Sequence, residues 1–313
     1  MKAVVVEDGE VVVAERPDPR PAGDEMLVAV RAAGLNGADI AQAAGRYPPP
    51  PGAPAEILGL ELAGEVVEVG ERIRRFQVGD RIMALVTGGA QAELAVVHEL
   101  EAMPMPSRLD WAHAGAFPEV FATAHDALFG TGKLKLGERV LVHGGAGGVG
   151  TAAIQLAVSA GARVVATVRR EALRAAVAAL GAVAIGHGDL AAHGPYDLII
   201  ETIGGEQVGW DLDALAECGR IVVLSTSAGG SLALDLRLLM SKRASLVGSV
   251  LRPRRLEERA MVLRRLEAEV LPLVEENQIR IPVFATFDLK DAPAAYSSFK
   301  AGGKLGKIVL RMP

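Results

Sequence analysis

The sequence has a single cysteine, no long apolar run and no excess of positive charge, and each absence excludes a class of protein. Cys218 is the only cysteine among 313 residues. No disulfide can therefore form within the chain, and we expect a cytoplasmic setting. No apolar stretch reaches the length of a membrane span. The segment Met1–Asp8 meets charge too early for a signal peptide. The sequence thus predicts a protein that does not use a membrane.

The charge balance argues against nucleic acid as a partner. The formal net charge is −5 at pH 7, which disfavours general affinity for nucleic acid or for an anionic membrane surface. Half of the residues are apolar, so the chain can build a full core. Its length suits roughly two domains. We therefore expect a globular protein of about two domains.

A run of glycines near the middle of the chain is the most informative motif. Residues 144–150 read Gly-Gly-Ala-Gly-Gly-Val-Gly, between the strand-like run 140–142 and the helix-like run 151–160. The spacing matches G-x-G-x-x-G, and the order strand, turn, helix forms the cradle of a dinucleotide. Its pyrophosphate lies at the helix N-terminus, where free N–H groups point outward. The predicted cofactor-binding residues of the turn are Gly145, Ala146, Gly147, Gly148, Val149 and Gly150.

Two arginines indicate which dinucleotide is bound. The second predicted strand, 163–168, runs directly into Arg169 and Arg170. This point lies roughly 20 residues past the glycine turn, where the group that contacts the adenosine ribose is expected. Arginine suits the 2′-phosphate of NADP, whereas an acidic residue suits the free hydroxyl of NAD. The sequence therefore predicts NADPH.

The order of predicted elements indicates two domains of different architecture. Strand patterns dominate the first hundred residues, and helices alternate with short apolar strands from about residue 110. That alternation predicts a parallel sheet with helices on both faces. A charged helix over 257–277, broken near Pro272, precedes a return to strands. We expect a Rossmann NADP-binding domain at 118–266, and a mostly β domain built from 1–117 and 267–313.

Several further segments resemble one family. They are 33–39 (Ala-Gly-Leu-Asn-Gly-Ala-Asp), 45–48 (Gly-Arg-Tyr-Pro), 59–64 (Gly-Leu-Glu-Leu-Ala-Gly), 78–81 (Val-Gly-Asp-Arg), 118–124 (Pro-Glu-Val-Phe-Ala-Thr-Ala), 248–254 and 306–310. In these segments the chain is similar to the medium-chain dehydrogenase/reductase superfamily, on its zinc-free quinone oxidoreductase (zeta-crystallin-like) branch, nearest the p53-inducible quinone reductase subgroup. The resemblance implies a GroES-like catalytic β domain beside a doubly wound Rossmann sheet, NADPH-dependent quinone reduction, and a homodimer joined through the strand near 245–250.

The resemblance also implies that no metal is bound. Zinc members of the superfamily have a cysteine ligand where this chain has Asn36, and a histidine where it has Leu60. The four cysteines of their structural zinc lobe are missing as well. Without a Lewis acid the acceptor must already accept hydride readily, as a quinone or an activated enone does. His143, just before the glycine turn, is predicted to be a packed or hydrogen-bonded residue.

The resemblance also implies the remaining site residues. Asn36 and Tyr47 are expected to position the acceptor and the nicotinamide, with no essential acid. Asp39 and Glu61 are expected to form supporting hydrogen bonds that hold the proline-rich loop of Tyr47. Gln91 stands where many relatives have an aromatic residue, which puts the preferred acceptor in question. The further cofactor-binding residues that the resemblance implies are Tyr47, Thr123, Ser225, Thr226, Leu251, Arg252 and Lys304.

Three interpretations of function stay open on the sequence alone. The first is an NADPH-dependent quinone reductase. The second is an enone or enoyl thioester reductase on the same scaffold. The third is a non-catalytic NADPH-binding sensor or structural protein.

Overall fold

The computed structural model describes all 313 residues, and these divide into two compact units. Unit 1 comprises Met1–Ala122 and Leu251–Pro313, and unit 2 comprises Thr123–Val250. The helix at Leu256–Glu269 lies wholly in unit 1, and the domain boundary expected after residue 266 falls inside it. None of the helices combines the length and the apolar character that crossing a lipid bilayer requires.

The N-terminal part of unit 1 is mostly strand. The strand patterns that dominate the first hundred residues of the sequence correspond to six strands here, and a seventh follows at 102–104. The elements are β1 (Lys2–Glu7), β2 (Glu10–Glu15), β3 (Glu25–Gly34), α1 (Gly37–Ala43), β4 (Glu61–Val69), β5 (Arg81–Leu85), β6 (Leu94–His98), β7 (Ala102–Pro104) and α2 (Trp111–Gly115), and α3 (Pro118–His125) contains the boundary between the units.

Unit 2 is a parallel α/β sheet with the predicted Rossmann topology. Its strands lie in the order β10-β9-β8-β11-β12-β13, and every neighbouring pair is parallel. The order reverses between β8 and β11, where such sheets bind ligands beyond the carboxyl ends of the strands. The elements are β8 (Arg139–Val142), α4 (Gly148–Ser159), β9 (Arg163–Thr167), α5 (Arg174–Ala178), β10 (Val183–Ile185), α6 (Leu190–His193), β11 (Tyr196–Glu201), α7 (Gln207–Ala214), β12 (Leu215–Val223), α8 (Leu236–Ser241) and β13 (Ser245–Gly248).

The C-terminal segment completes the sheet of unit 1. Strand β15 pairs antiparallel with β3, with Val309 opposite Gly34. The helix predicted over 257–277 is two helices, because the chain breaks at Val270, just before Pro272. The elements are α9 (Leu256–Glu269), α10 (Leu271–Glu275), β14 (Val283–Asp288), α11 (Ala292–Ala301) and β15 (Lys307–Arg311).

Alternating burial along the strands places the core of unit 1. In β3 the side chains of Met26, Val28 and Val30 are buried, while the residues between them are half-buried. This period of two is typical of a sheet that covers a core on one face. The seven-stranded sheet has the order β14-β15-β3-β4-β5-β7, with β6 also paired to β3. The predicted fold class, a Rossmann sheet plus a mostly β unit built from both chain ends, is confirmed.

Candidate active site

The glycine turn of unit 2 is closed by its own backbone. The N–H of Gly145 donates to the carbonyl oxygen of Thr167 at 2.9 Å, which fastens the turn to the end of β9. A Cβ added at Gly150 would lie 2.3 Å from the carbonyl oxygen of Gly144, and one added at Gly145 would lie 2.8 Å from Cβ of Ala166. Both contacts are shorter than van der Waals distance. These two glycines are therefore required for the turn to pack against α4 and β9.

The other side of the turn is open. Gly147 is the N-cap of α4, and a Cβ added there would meet only the carbonyl oxygen of Gly144, at 3.3 Å. The first N–H groups of α4, at Gly148 and Val149, have no acceptor within the helix. The helix dipole adds a positive partial charge at the same end. The turn therefore fits the pyrophosphate of a dinucleotide, and the binding role of its residues stays a prediction.

The two arginines predicted to select NADPH follow β9. Arg169 and Arg170 are both exposed. Thr167, two residues before Arg169, touches the turn twice, because its hydroxyl also accepts from the N–H of Gly144 at 3.3 Å. The arginines thus follow directly on the strand end that carries the turn. Recognition of a 2′-phosphate by them stays a prediction.

The remaining predicted cofactor residues are divided between the units. In unit 2, Ser225 is half-buried and Thr226 exposed just after β12, and Thr123 is half-buried in α3. In unit 1, Leu251 is buried, and the residues Asn36, Tyr47, Arg252 and Lys304 lie there too.

A buried ion pair lies at the centre of unit 1. Oε1 of Glu61 is 2.7 Å from Nζ of Lys307, and both side chains are almost wholly buried. Oε2 of Glu61 accepts from the backbone N–H of Glu119 at 2.9 Å. Lys307 also donates to the carbonyl oxygen of Leu35 at 2.6 Å and to Oδ1 of Asn36 at 2.5 Å. Each charge is therefore paired and hydrogen-bonded, as a buried ion pair requires.

Asn36 and Asp39 extend this pair into a cluster. Nδ2 of Asn36 donates to Oε1 of Glu61 at 3.0 Å, and its backbone N–H donates to Oδ2 of Asp39 at 2.8 Å. Both carboxylates thus bond Asn36, and the expected role of these two residues in holding the Tyr47 loop stays a prediction. Burial raises the pKa of Asp39 to about 7, and its Oδ1 has no hydrogen-bond partner. We call Asn36, Asp39, Glu61 and Lys307 the lysine cluster.

Gln91 is part of the core of unit 1. Its side chain is fully buried. Oε1 accepts from the hydroxyl of Tyr296 at 2.8 Å, and Nε2 lies 3.4 Å from Oδ2 of Asp39. The amide therefore replaces an aromatic side chain with a polar link between α11 and the lysine cluster.

Tyr47 and Arg252 form a second contact in unit 1. The guanidinium carbon of Arg252 lies 5.2 Å from the ring centroid of Tyr47, a distance at which a cation is attracted to the ring. Arg252 donates to the carbonyl oxygen of Thr87 at 2.8 Å and to Oε1 of Gln42 at 2.7 Å. Burial raises the pKa of Tyr47 and lowers that of Arg252.

Lys304, predicted to approach a ribose or phosphate, packs on a phenyl ring. Its Nζ lies 3.6 Å from the ring centroid of Phe299. Burial, together with the nearby charge of Lys307, lowers the pKa of Lys304 to about 8. Its role toward a cofactor stays a prediction.

Lys307 and Tyr296 are not among the site residues predicted from the sequence. The available signal for Lys307 was a lysine that opens the otherwise apolar run Ile308-Val309-Leu310. A charge at the start of a buried strand needs a partner. That partner, Glu61, is distant in the sequence and could not be named from spacing.

Two family models match the chain, one in each half. The model described as alcohol dehydrogenase GroES-like domain matches residues 22–107, and the model described as zinc-binding dehydrogenase matches residues 148–268. A "probable oxidoreductase" from Mycobacterium abscessus is 31% identical, with a TM-score of 0.85 over 99% of this chain and 98% of that one. The chain belongs to the medium-chain dehydrogenase/reductase superfamily.

Other members of the superfamily are similar along nearly the whole chain. A quinone oxidoreductase from Coxiella burnetii is 27% identical, with a TM-score of 0.83, over 100% of this chain and 99% of that one. A phenolphthiocerol/phthiocerol polyketide synthase from Mycobacterium tuberculosis is 32% identical over 94% of this chain. The aligned region is 14% of that synthase polypeptide, so the present chain spans only a small part of its length.

The zinc in the description of the second model does not fit unit 1. Of the positions where zinc members of the superfamily have ligands, one is occupied by Leu60, a buried apolar side chain. Another is Asn36, whose amide bonds Glu61 and Lys307. The ammonium group of Lys307 already supplies a positive charge 2.7 Å from Glu61. A catalytic zinc needs three ligands of the Cys, His or carboxylate type, and this arrangement does not offer them.

Proposed function

We propose that the protein reduces the conjugated double bond of an enone or a 2-enoyl thioester with hydride from NADPH, without a metal. The lysine cluster carries this proposal, because it neutralises Glu61 with Lys307 and leaves no ligand set for zinc. A protein with no Lewis acid at this point needs an acceptor that is already polarised by conjugation.

The relatives favour a thioester as the acceptor. The chain is 32% identical to part of a polyketide synthase. Polyketide synthases build carbon chains as acyl thioesters, and the hydride acceptor in such a chain is a double bond conjugated with the thioester carbonyl. Hydride adds to the β-carbon, the electron pair moves toward the carbonyl, and the α-carbon then takes a proton. The product is the saturated thioester.

The residues of each unit have separate tasks in this proposal. The glycine turn and the N-terminus of α4 hold the pyrophosphate, while Arg169 and Arg170 hold the 2′-phosphate. NADPH, when bound, supplies the hydride from C4 of its nicotinamide. Asn36 and Tyr47 position the acceptor and the nicotinamide ring. The proton comes from solvent or a polar neighbour, so no single acid is indispensable.

Quinone reduction is the second candidate. Its support is the 27% identity to the quinone oxidoreductase of Coxiella burnetii over essentially both chains. A quinone accepts hydride at a conjugated system as well, and the same cofactor geometry serves both reactions. A homodimer is proposed with either activity, because β13 is an edge strand whose residues are all exposed.

The deciding experiment compares acceptors. NADPH oxidation is followed with 2-enoyl thioesters and enones in one series and with 1,2- and 1,4-quinones in the other, and the reduced products are identified by mass spectrometry. We expect the saturated thioester or ketone. The Gly147→Val variant is the matched control, since a Cβ at this position meets only the carbonyl oxygen of Gly144, at 3.3 Å, and the added side chain stands at the open side of the turn.

Each outcome selects one function. Turnover of quinones alone would overturn the proposal in favour of the second candidate. Tight NADPH binding without turnover of any acceptor would indicate the non-catalytic binding protein. Activity that persists unchanged in the Gly147→Val variant would show that the turnover does not depend on the glycine turn.

A further inference from the structure

A second group of buried ionisable side chains lies in unit 2, where β8 and β11 end. His143 directly follows β8, Glu201 is the last residue of β11, and Asp211 lies in α7. All three side chains are 0% exposed. Nε2 of His143 is 2.7 Å from Oδ1 of Asp211 and 3.8 Å from Oε2 of Glu201. We call these three residues the histidine cluster.

The histidine cluster has more acceptors than donors. Oε1 of Glu201 accepts from the backbone N–H groups of Ile203 and Gly204, and Oδ1 of Asp211 accepts from Nε2 of Gln207 at 3.1 Å. The second oxygen of each carboxylate, Oε2 of Glu201 and Oδ2 of Asp211, is buried without any hydrogen-bond partner. No lysine or arginine pairs with either group. Burial and the neighbouring Asp211 raise the pKa of Glu201 to about 7, because two ionised carboxylates beside one imidazole would leave a costly deficit of positive charge inside the protein.

The distances within the histidine cluster suit a small divalent cation. One ligand atom from each residue can be chosen so that all three lie within 4.8 Å of one another. Nitrogen and oxygen ligands at tetrahedral Zn²⁺ lie about 2.0–2.2 Å from the metal, hence roughly 3.4 Å from each other. The observed separations of 2.7 and 3.8 Å bracket that value. Small side-chain rotations would therefore complete the coordination.

The surroundings are those of a supported ligand set. The other ring nitrogen of His143, Nδ1, is 3.0 Å from the hydroxyl of Thr167. Metal-binding histidines commonly engage their second nitrogen in this way, which fixes the ring and the tautomer. The two backbone N–H groups on Oε1 of Glu201 orient its carboxylate. Both features would serve a metal, since each engages an atom other than the one that faces the cluster, Nε2 of His143 and Oε2 of Glu201.

A fourth ligand is within reach. Nε2 of Gln207 lies 3.1 Å from Oδ1 of Asp211 and 3.4 Å from Nε2 of His143. A half-turn of this amide exchanges its nitrogen and oxygen. It would present Oε1 to the histidine cluster and offer Nε2 to the ring of His187, which Gln207 already contacts. Gln207 itself is buried.

We propose that His143, Glu201 and Asp211 form a structural site for a divalent cation, of which Zn²⁺ fits this set of one nitrogen and two oxygen ligands. The ion joins β8, β11 and α7 directly beneath the glycine turn, because Gly144 follows His143. The site is separate from the lysine cluster and needs no part of the proposed reaction. This site differs from the metal-free protein expected from the sequence, in which His143, Glu201 and Asp211 lie too far apart to show ligand spacing.

The test measures metal binding by the whole protein. The purified chain is treated with a chelator, incubated with excess Zn²⁺ or Co²⁺, passed through gel filtration and analysed for metal content. We expect about one equivalent, a higher thermal midpoint, and visible Co²⁺ absorption typical of low coordination number. The Glu201→Gln and Asp211→Asn variants, nearly isosteric, should bind about 100-fold more weakly or worse.

Controls separate this site from metal bound elsewhere on the protein. Asp39→Asn alters the lysine cluster and should retain the full metal content. Thr167→Val removes the partner of the histidine ring and should weaken binding by about 10–100-fold. Less than a tenth of an equivalent in the wild-type protein would overturn the proposal and leave protons alone to balance the cluster. Equal metal content in wild type and both carboxylate variants would overturn it too, and the wild-type measurement stands even if a variant does not fold.

Discussion

The two units bury carboxylates in opposite ways. In unit 1, Glu61 lies against Lys307, and the charges cancel inside the core. In unit 2, Glu201 and Asp211 lie beside a single imidazole, and one oxygen of each carboxylate has no partner. Both clusters lie at strand ends, and all four carboxylates, including Asp39, are fully buried. The difference is the presence of a cation contributed by the chain itself.

This difference changes what each unit can bind. A cluster that contains its own ammonium group repels a second cation and leaves no ligand for zinc. A cluster with excess carboxylate attracts one. The family model that matches residues 148–268 is described as a zinc-binding dehydrogenase. In this chain, however, Asn36 and Leu60 stand where zinc members of the superfamily have ligands. The side chains best suited to a metal lie instead in the other unit.

Removal of the ammonium group of Lys307 is expected to have the largest effect on stability. Lys307→Met would leave Glu61 charged, buried and short of its partner. We expect the free energy of unfolding to fall by about 3–5 kcal/mol, the usual cost of breaking a buried pair from one side. Chemical denaturation of the variant and the wild type measures this directly.

The double variant Lys307→Met with Glu61→Gln is the matched control. It removes both charges at once, so it should regain a large part of the lost stability. A loss below about 1 kcal/mol in the single variant would contradict the idea that the unit depends on this pair.

The pH dependence of stability tests Asp39. Burial is the main cause that raises its pKa to about 7, and Glu61 acts in the same direction, while the backbone N–H of Asn36 and the charges of Lys307 and Arg252 act against it. The pKa of an unfolded aspartate is about 3.9, so between these values the native state holds a proton that the unfolded state has lost. Stability therefore falls as the pH rises through this window and levels off above it.

The Asp39→Asn variant has no ionisable group at this position. Between about pH 5 and pH 8, the wild type should lose about 3 kcal/mol more stability than the variant. Denaturant titrations of both proteins at each pH give the comparison. Parallel pH profiles for the two proteins would show that Asp39 ionises normally in the native state.

The sequence predicted the elements of unit 2 well, because their signals are local. The strand at 140–142, the glycine turn and the helix after it form one continuous segment. His143 was predicted to be hydrogen-bonded, and it bonds Thr167 and Asp211. Only nearest neighbours in the chain and ordinary propensities are needed for such predictions.

The sequence could not predict either buried cluster. Lys307 reaches Glu61 only because β15 pairs with β3 and β3 with β4. Asp211 reaches His143 only because α7 lies over the end of β8. These contacts depend on the register of strands and the packing of helices, which a single sequence does not contain. The break of the long helix at Val270 was predictable, because Pro272 cannot continue it.

The smallest predicted effect is on cofactor affinity and concerns the exposed arginines of unit 2. Arg169 and Arg170 are exposed at the end of β9, whereas Lys307 of unit 1 is buried. Replacing both with alanine should weaken NADPH binding about 10–100-fold and leave NADH nearly unchanged, because only NADPH has the 2′-phosphate. Fluorescence titration with both cofactors measures the ratio.

The Arg163→Ala variant is the control. Arg163 is an exposed arginine at the opposite end of the same strand, so its replacement should change neither affinity. Equal losses for NADPH and NADH would show that the two arginines support the fold of the turn. The exposed arginines of unit 2, like the buried Lys307 of unit 1, would then have a structural role only.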